Sequence, residues 1–135
     1  MFRKVKGLTK NVYLPVTPST VFAERSLVTF DSGALVPATA ATTAGQIAGI
    51  IVGPIAATDP DYAVARRVAV EVPVEKHVVY EFNTTGLVAG DVGSTVDLSD
   101  ASTVNRAASA IGIARIIARI TATKGRAYLR INDAF

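Results

Sequence analysis

This chain of 135 residues has no cysteine, a single histidine and no long apolar run. Without cysteine it can form no disulfide and no thiolate metal site, although this absence does not identify a compartment. The longest apolar run, residues 47–57, is interrupted by Gly49, Gly53 and Pro54, and it is about half of the ~20 residues that a transmembrane helix needs. We therefore expect no membrane span. We also expect no signal peptide, because no apolar segment follows the charged N-terminus.

The scarcity of chemically active side chains argues against an enzyme. General acid–base or triad chemistry needs an imidazole beside a nucleophile or a carboxylate, and His77 lies in a Glu-Lys-His sequence typical of a solvated turn. Zinc needs three or four ligands, which one histidine cannot supply. The carboxylate pair Asp59 and Asp61 flanks a proline in a loop and is typical of turn chemistry, and the glycines at 86, 90 and 93 do not form a phosphate loop. We expect no catalytic residues, no metal and no cofactor.

The net charge of +3 is distributed unevenly along the chain. Residues 1–10 hold four basic groups and no acid, residues 11–103 hold four basic and ten acidic groups, and residues 104–135 hold six basic groups and one acid. Basic ends on an acidic body indicate complementarity with an acidic partner or with a neighbouring copy of the chain. The alternative is that these ends are simply solvated.

The pattern of the remaining residues is that of β-structure. Strands are predicted at residues 26–30, 34–36, 46–52, 67–74 and 78–82, with a loop at 58–62 and tight turns between short strands at 86–99. Pro73 cannot donate to a ladder, so the strand beginning at Arg67 either ends there or lies at a sheet edge. The sequence therefore predicts an all-β fold with at most one short helix.

Residues 1–19 show no stable period and contain Pro15 and Pro18. We expect them to form an extended N-terminal arm that precedes a single β-domain over residues 20–135. Such an arm could reach about 60 Å at roughly 3.3 Å per residue. Its basic side chains could dock on an acidic surface, or the segment could be a disordered tail.

The C-terminal part of the domain is more ambiguous. Alanines in residues 104–110 permit one helical turn, whereas the β-branched residues from Ile111 onward favour a strand. A two-residue turn at Lys124-Gly125 would pair the strand before it with the strand after it, and the apolar residues of the two strands would then lie on one face. This register places Arg119 opposite Arg130, where like charges destabilise. Either the two side chains splay into solvent, or a carboxylate from elsewhere lies between them and marks an acidic docking point.

One stretch resembles a known family. Residues 28–39, VTFDSGALVPAT, form a strand, a tight turn and a second strand, and residues 45–50, GQIAGI, continue into a third strand. This arrangement resembles the head decoration, or capsid cement, proteins of tailed bacteriophages, clearly over about residues 20–55 and more loosely over 86–131. Residues 89–93 and 128–131 also look like such proteins.

The resemblance implies a small β-barrel or β-tulip-like domain on the outer capsid surface of the virion, which stabilises the capsid by bridging subunits. The expected partners are the major capsid protein and further copies of the chain, with a trimer favoured, and no small-molecule substrate or membrane. Residues expected at the capsid or partner interface are Phe2, Arg3, Lys4, Lys6, Lys10, Tyr13, Arg119 and Arg130. Two alternatives stay open: another virion component such as a tail or adaptor protein, and, with less support, a nucleic-acid-binding barrel that uses Tyr128 between Arg126 and Arg130.

Overall fold

Eleven β-strands make up the regular structure of residues 1–131, the part of the chain that the computed structural model describes. The strands are β1 (Arg3–Lys6), β2 (Thr9–Pro15), β3 (Leu27–Asp31), β4 (Ala34–Pro37), β5 (Ile47–Ile51), β6 (Arg67–Pro73), β7 (Val79–Asn83), β8 (Thr95–Leu98), β9 (Val104–Asn105), β10 (Ala114–Thr121) and β11 (Lys124–Leu129). Two short 3-10 helical turns, Ala44–Gln46 and Ala89–Asp91, are the only helical elements of the described residues. The predicted all-β fold is confirmed.

The strands form two antiparallel sheets. The six-stranded sheet has the order β1-β7-β11-β10-β8-β9, and the five-stranded sheet has the order β2-β6-β5-β3-β4. In the five-stranded sheet the two end strands approach each other, because Val16, just after β2, forms a parallel bridge with Leu35 of β4. In the six-stranded sheet, Thr103, just before β9, likewise forms a parallel bridge with Asn83 of β7. The pairing thus gives two sheets that approach closure only through isolated bridges, where the resemblance implied one small β-barrel or β-tulip-like domain.

Two hydrophobic cores share the strands β3 and β5. Leu27 and Ile50 face the larger core, which lies against the six-stranded sheet, whereas Val28 and Ile51 face a second core inside the five-stranded sheet. Strands buried on both faces require apolar residues at successive positions. This burial explains why residues 47–52 form a nearly continuous apolar run and why β5 could be predicted.

The N-terminal segment is part of both sheets and not a free arm. β1 pairs with β7, and β2 pairs with β6 over its whole length. Phe2 is fully buried in the larger core. The predicted boundary at residue 19 is therefore wrong: residues 1–19 do not form an arm separate from a domain at 20–135. All four residues of β1 are exposed, so this end strand lacks the apolar alternation that would have predicted it.

The turn of the C-terminal hairpin lies at Ala122-Thr123, two residues before the predicted position. Its register places Arg119 opposite Gly125, so the predicted pairing of Arg119 with Arg130 is wrong. Gly125 is needed for packing and not for a turn. A Cβ on it would lie only 2.7 Å from Phe82 Cζ.

Most other predicted elements are confirmed. The predicted strands at 34–36, 46–52, 67–74 and 78–82 correspond to β4, β5, β6 and β7, and residues 58–62 form turns. β6 ends at Pro73, as expected, but it lies inside its sheet between β2 and β5. No helix forms at residues 104–110, where β9 and turns occur instead, and β10 begins only at Ala114.

Candidate docking surface

The outer face of the six-stranded sheet is basic. Successive side chains of each strand point to opposite faces of the sheet, one toward the core and one toward solvent. Tyr80, Phe82 and Ala127 point into the larger core. The residues that alternate with them project outward, and those that carry positive charge on β1, β10 and β11 are Arg3, Arg115, Lys124 and Arg126. We call these four residues and the strand positions between them the basic sheet face.

A single carboxylate, Glu81, lies in the middle of the basic sheet face. Glu81 is directly opposite Arg3 on one neighbouring strand and Arg126 on the other. Its Oε1 accepts a hydrogen bond of 3.1 Å from Arg3 Nη2 and lies 3.4 Å from Lys124 Nζ. Glu81 is only 8% exposed, whereas the cations above it reach solvent. With four cations and this one carboxylate, the basic sheet face has an excess of positive charge.

An aromatic pair lies at one end of the basic sheet face. Tyr128 of β11 is opposite Arg115 of β10 and two residues from Arg126. Its ring packs against that of His77, with the centroids 4.9 Å apart and the planes inclined by 45°. His77 is exposed in the turn before β7, as the sequence indicated, and has φ of 63°. The pair presents an apolar surface between positive charges.

A groove begins beside this aromatic pair and runs toward the C-terminal end of β6. It has a volume of about 1140 Å³. Its cations are Lys10, Lys76 and Arg130, all of them exposed. Tyr80 also lines it, and the hydroxyl of this buried residue is the one buried side-chain polar atom of the described chain with no hydrogen-bond partner. Burial raises the pKa of the Tyr80 phenol far above its ordinary value. We call this feature the edge groove.

The eight residues that were predicted to contact a partner lie at several different places in the structure. The prediction for Phe2 is wrong, because its side chain is buried in the core. Arg3 belongs to the basic sheet face, and Lys4 and Lys6 are exposed on the same strand, where Lys4 Nζ donates to Thr9 Oγ1 at 3.1 Å. For these three lysine and arginine residues, contact with a partner stays a prediction.

The other four predicted residues lie at three different places. Lys10 and Arg130, from opposite ends of the chain, come together in the edge groove. Tyr13 is 65% exposed on β2 of the other sheet. Arg119 Nε donates to the carbonyl oxygen of Leu87 at 2.9 Å, so its guanidinium is partly engaged within the chain.

Four of the cations now assigned to these two surfaces were not among the eight predicted residues: Arg115, Lys124, Arg126 and Lys76. The excess of basic residues after position 104 could have indicated the first three. The correct hairpin register was needed to place Arg115 beside Tyr128. Nothing in the sequence brings Lys76 near Arg130, because that proximity depends on how the sheets pack.

No metal-binding cluster is found in residues 1–131. No group of three or more histidine, cysteine, aspartate or glutamate residues there could hold a metal ion. Asp59 Oδ2 accepts the backbone N–H of Ala56 at 3.0 Å, and Asp61 forms an ion pair with Arg66, so both carboxylates are engaged in turn structure. In this part of the chain no helix combines the length and hydropathy that crossing a membrane requires.

Comparison with known proteins does not assign the chain to a family. No family model matches it, and neither a curated protein nor a solved structure matches it.

Proposed function

We propose that this chain is a virion structural protein that binds the outer surface of an icosahedral phage capsid and stabilises it by bridging major capsid subunits. The observation that carries the proposal is the basic sheet face, where Arg3, Lys124 and Arg126 lie beside Glu81 and Arg115 adds a fourth cation on β10. A second support is the resemblance of residues 28–39 and 45–50 to capsid decoration proteins. The proposed role is structural and not catalytic.

The basic sheet face suits a broad acidic protein surface. The face spans several strands, which hold the backbone of its cations in place. Binding would therefore order only the long arginine and lysine side chains. Exposed ion pairs contribute only about 0–1 kcal/mol each. Stable attachment would therefore depend on several contacts made at once, and on several copies acting together on a repeating lattice.

We further propose that the chain acts as a homo-oligomer, with a trimer favoured. Leu8 and Val74 are 63% and 49% exposed. They are held side by side, because the Val74 N–H donates to the Leu8 carbonyl oxygen at 3.1 Å. Val5 on the adjoining β1 is 38% exposed. Apolar side chains at neighbouring positions are typical of surfaces that another chain covers.

The decisive experiment mixes the purified protein with expanded, undecorated phage heads and measures the saturating stoichiometry. We expect saturable binding with a fixed number of copies per capsid. The double variant Arg115→Glu, Arg126→Glu should bind at least about tenfold more weakly, because charge reversal replaces attraction by repulsion. Arg67→Gln is the matched control, since Arg67 is an exposed cation on the other sheet. Absence of binding by the unaltered protein would overturn the proposal for that capsid, and binding to tails alone would favour a tail or adaptor component.

A second candidate, binding of single-stranded nucleic acid, is favoured by one observation. Tyr128 lies on an open sheet face beside Arg126 and opposite Arg115, and an aromatic ring between cations is typical of such binding surfaces. A salt-sensitive gel shift with a single-stranded oligonucleotide, abolished in Tyr128→Ala, would support it. We favour the capsid because the contact with His77 covers part of the Tyr128 ring and leaves less of it for a base to stack on.

A further inference from the structure

Most residues of the edge groove do not belong to the basic sheet face. The shape of the groove limits what could occupy it. It is an open groove with a volume of about 1140 Å³. Pockets for small molecules typically enclose about 300–1,000 Å³ and bury most of the ligand. A groove of this size that stays open to solvent is better suited to a length of extended chain than to a small molecule.

The charges along the groove favour an anionic occupant. Lys10, Lys76 and Arg130 are exposed, and no side-chain hydrogen bond or ion pair within residues 1–131 engages them. The single acid of the groove lining is Glu75, and its Oε1 already accepts the backbone N–H of Leu8 at 2.8 Å. The groove lining therefore carries three cations and one carboxylate, so its net charge is positive and none of the three cations is held in an ion pair within residues 1–131.

The walls of the groove favour a peptide over a nucleic acid. Val74, Leu129 and Ile131 supply apolar contacts between the cations. His77 and Tyr128 are the exposed or partly exposed rings there, and they pack against each other with centroids 4.9 Å apart. This contact leaves less ring surface for a base to stack on. An extended peptide does not depend on stacking, because its side chains can alternate between the cations and the apolar wall.

We propose that the edge groove binds an extended acidic peptide segment of a partner protein, with its carboxylates contacting Lys10, Lys76 and Arg130. The aliphatic parts of the segment pack on Val74 and Leu129. This inference does not depend on the capsid proposal, because it concerns a different set of residues and any protein could supply the segment.

The test is fluorescence anisotropy with a labelled peptide of about eight alternating glutamate and alanine residues, ~26 Å long when extended at ~3.3 Å per residue. We expect saturable binding that weakens as salt is raised, since exposed charges are screened. The same peptide with glutamine in place of glutamate should bind far more weakly. The double variant Lys10→Gln, Arg130→Gln should lose at least about fivefold in affinity, as expected for two exposed ion pairs. Lys76→Gln provides an independent variant of the same groove.

Two controls keep the outcome interpretable. Arg67→Gln removes an exposed cation from the end of β6 opposite to Pro73, roughly 20 Å away at ~3.3 Å per residue, and should leave peptide binding unchanged. Unchanged thermal denaturation of every variant shows that the fold is intact. No binding of the acidic peptide, equal binding of the glutamine peptide, or equal losses in Arg67→Gln and the groove variants would each overturn the proposal. Tighter binding of a single-stranded oligonucleotide at the same residues would replace it by a nucleic-acid site.

Discussion

Arg25 and Glu71 form a nearly buried ion pair, in which Arg25 Nη2 donates to Glu71 Oε2 at 2.7 Å. Arg25 also connects the N-terminus to the body of the protein. Its Nε donates to the Phe2 carbonyl oxygen at 3.0 Å, and its own carbonyl oxygen accepts the Phe2 N–H at 2.8 Å. Glu71 belongs to β6 of the five-stranded sheet. One side chain thus joins the start of the chain to the centre of the fold.

We expect Arg25→Met to lower the free energy of unfolding by about 3 kcal/mol, because it leaves the Glu71 carboxylate buried without its partner. Urea denaturation measures this loss. Arg66→Met is the control: its partner Asp61 is half exposed, so the loss should stay below about 1 kcal/mol. Equal losses in the two variants would contradict the structural role of the buried pair.

Phe2→Ala should lower the free energy of unfolding by about 3 kcal/mol, because Phe2 is fully buried in the larger core and truncation leaves a cavity. Val5→Ala, at an exposed position of the adjoining β1, should change it by less than about 0.5 kcal/mol. Deletion of residues 1–19 removes β1 and β2 and should leave an unfolded chain. A folded deletion variant, measured by circular dichroism, would restore the idea of a separate arm.

The sequence was sufficient to predict strands wherever burial imposes a pattern. β5 is buried at every position, and β6 carries valines at alternate positions, of which Val70 and Val72 are buried, so both have the composition of strands. β1 could not be predicted in the same way. It is an end strand with four exposed residues, and its cations satisfy the need to keep a sheet edge from pairing with other chains.

The positive charge of the two candidate docking surfaces, the basic sheet face and the edge groove, could be predicted from the sequence, but their positions could not. The excess of basic residues at both ends of the sequence is present in the structure, at Arg3 and Lys10 from one end and Arg126 and Arg130 from the other. Their division between the sheet face and the groove depends on the strand order β1-β7-β11. That order is set by packing between distant segments, which no local pattern encodes.

Asp91 gives the stability a defined pH dependence. Its carboxylate accepts two hydrogen bonds from Arg106, at 2.7 and 3.0 Å, and one from the Val88 N–H at 2.9 Å. These bonds, chiefly those from Arg106, hold the pKa of Asp91 below its ordinary value of 3.8. The folded state therefore binds this proton less readily than the unfolded state. The resulting stabilisation is present above pH 3.8 and is lost as the pH falls through the lower folded-state pKa.

Asp91→Asn should therefore be less stable than the unaltered protein at neutral pH, and the difference should disappear well below pH 3.8. Chemical denaturation across this pH range measures it. Asp31→Asn is the control, because the Asp31 side chain bonds only to the neighbouring Ser32 among the described residues. A difference for Asp91→Asn that does not change with pH would contradict the assignment.

Gly125 distinguishes the observed hairpin from the one expected at Lys124-Gly125. In the structure a Cβ at Gly125 would lie 2.7 Å from Phe82 Cζ and 2.9 Å from Leu87 Cδ2, so Gly125→Ala should lower the free energy of unfolding by about 1–3 kcal/mol through overpacking. Gly90→Ala is the matched control, because a Cβ there meets nothing within 4 Å, and its effect should stay within about 0.5 kcal/mol. Thermal or urea denaturation compares the two. If Gly125 were instead an exposed turn residue, its Cβ would meet no core side chain, and an unchanged stability in Gly125→Ala would favour that register over the one described.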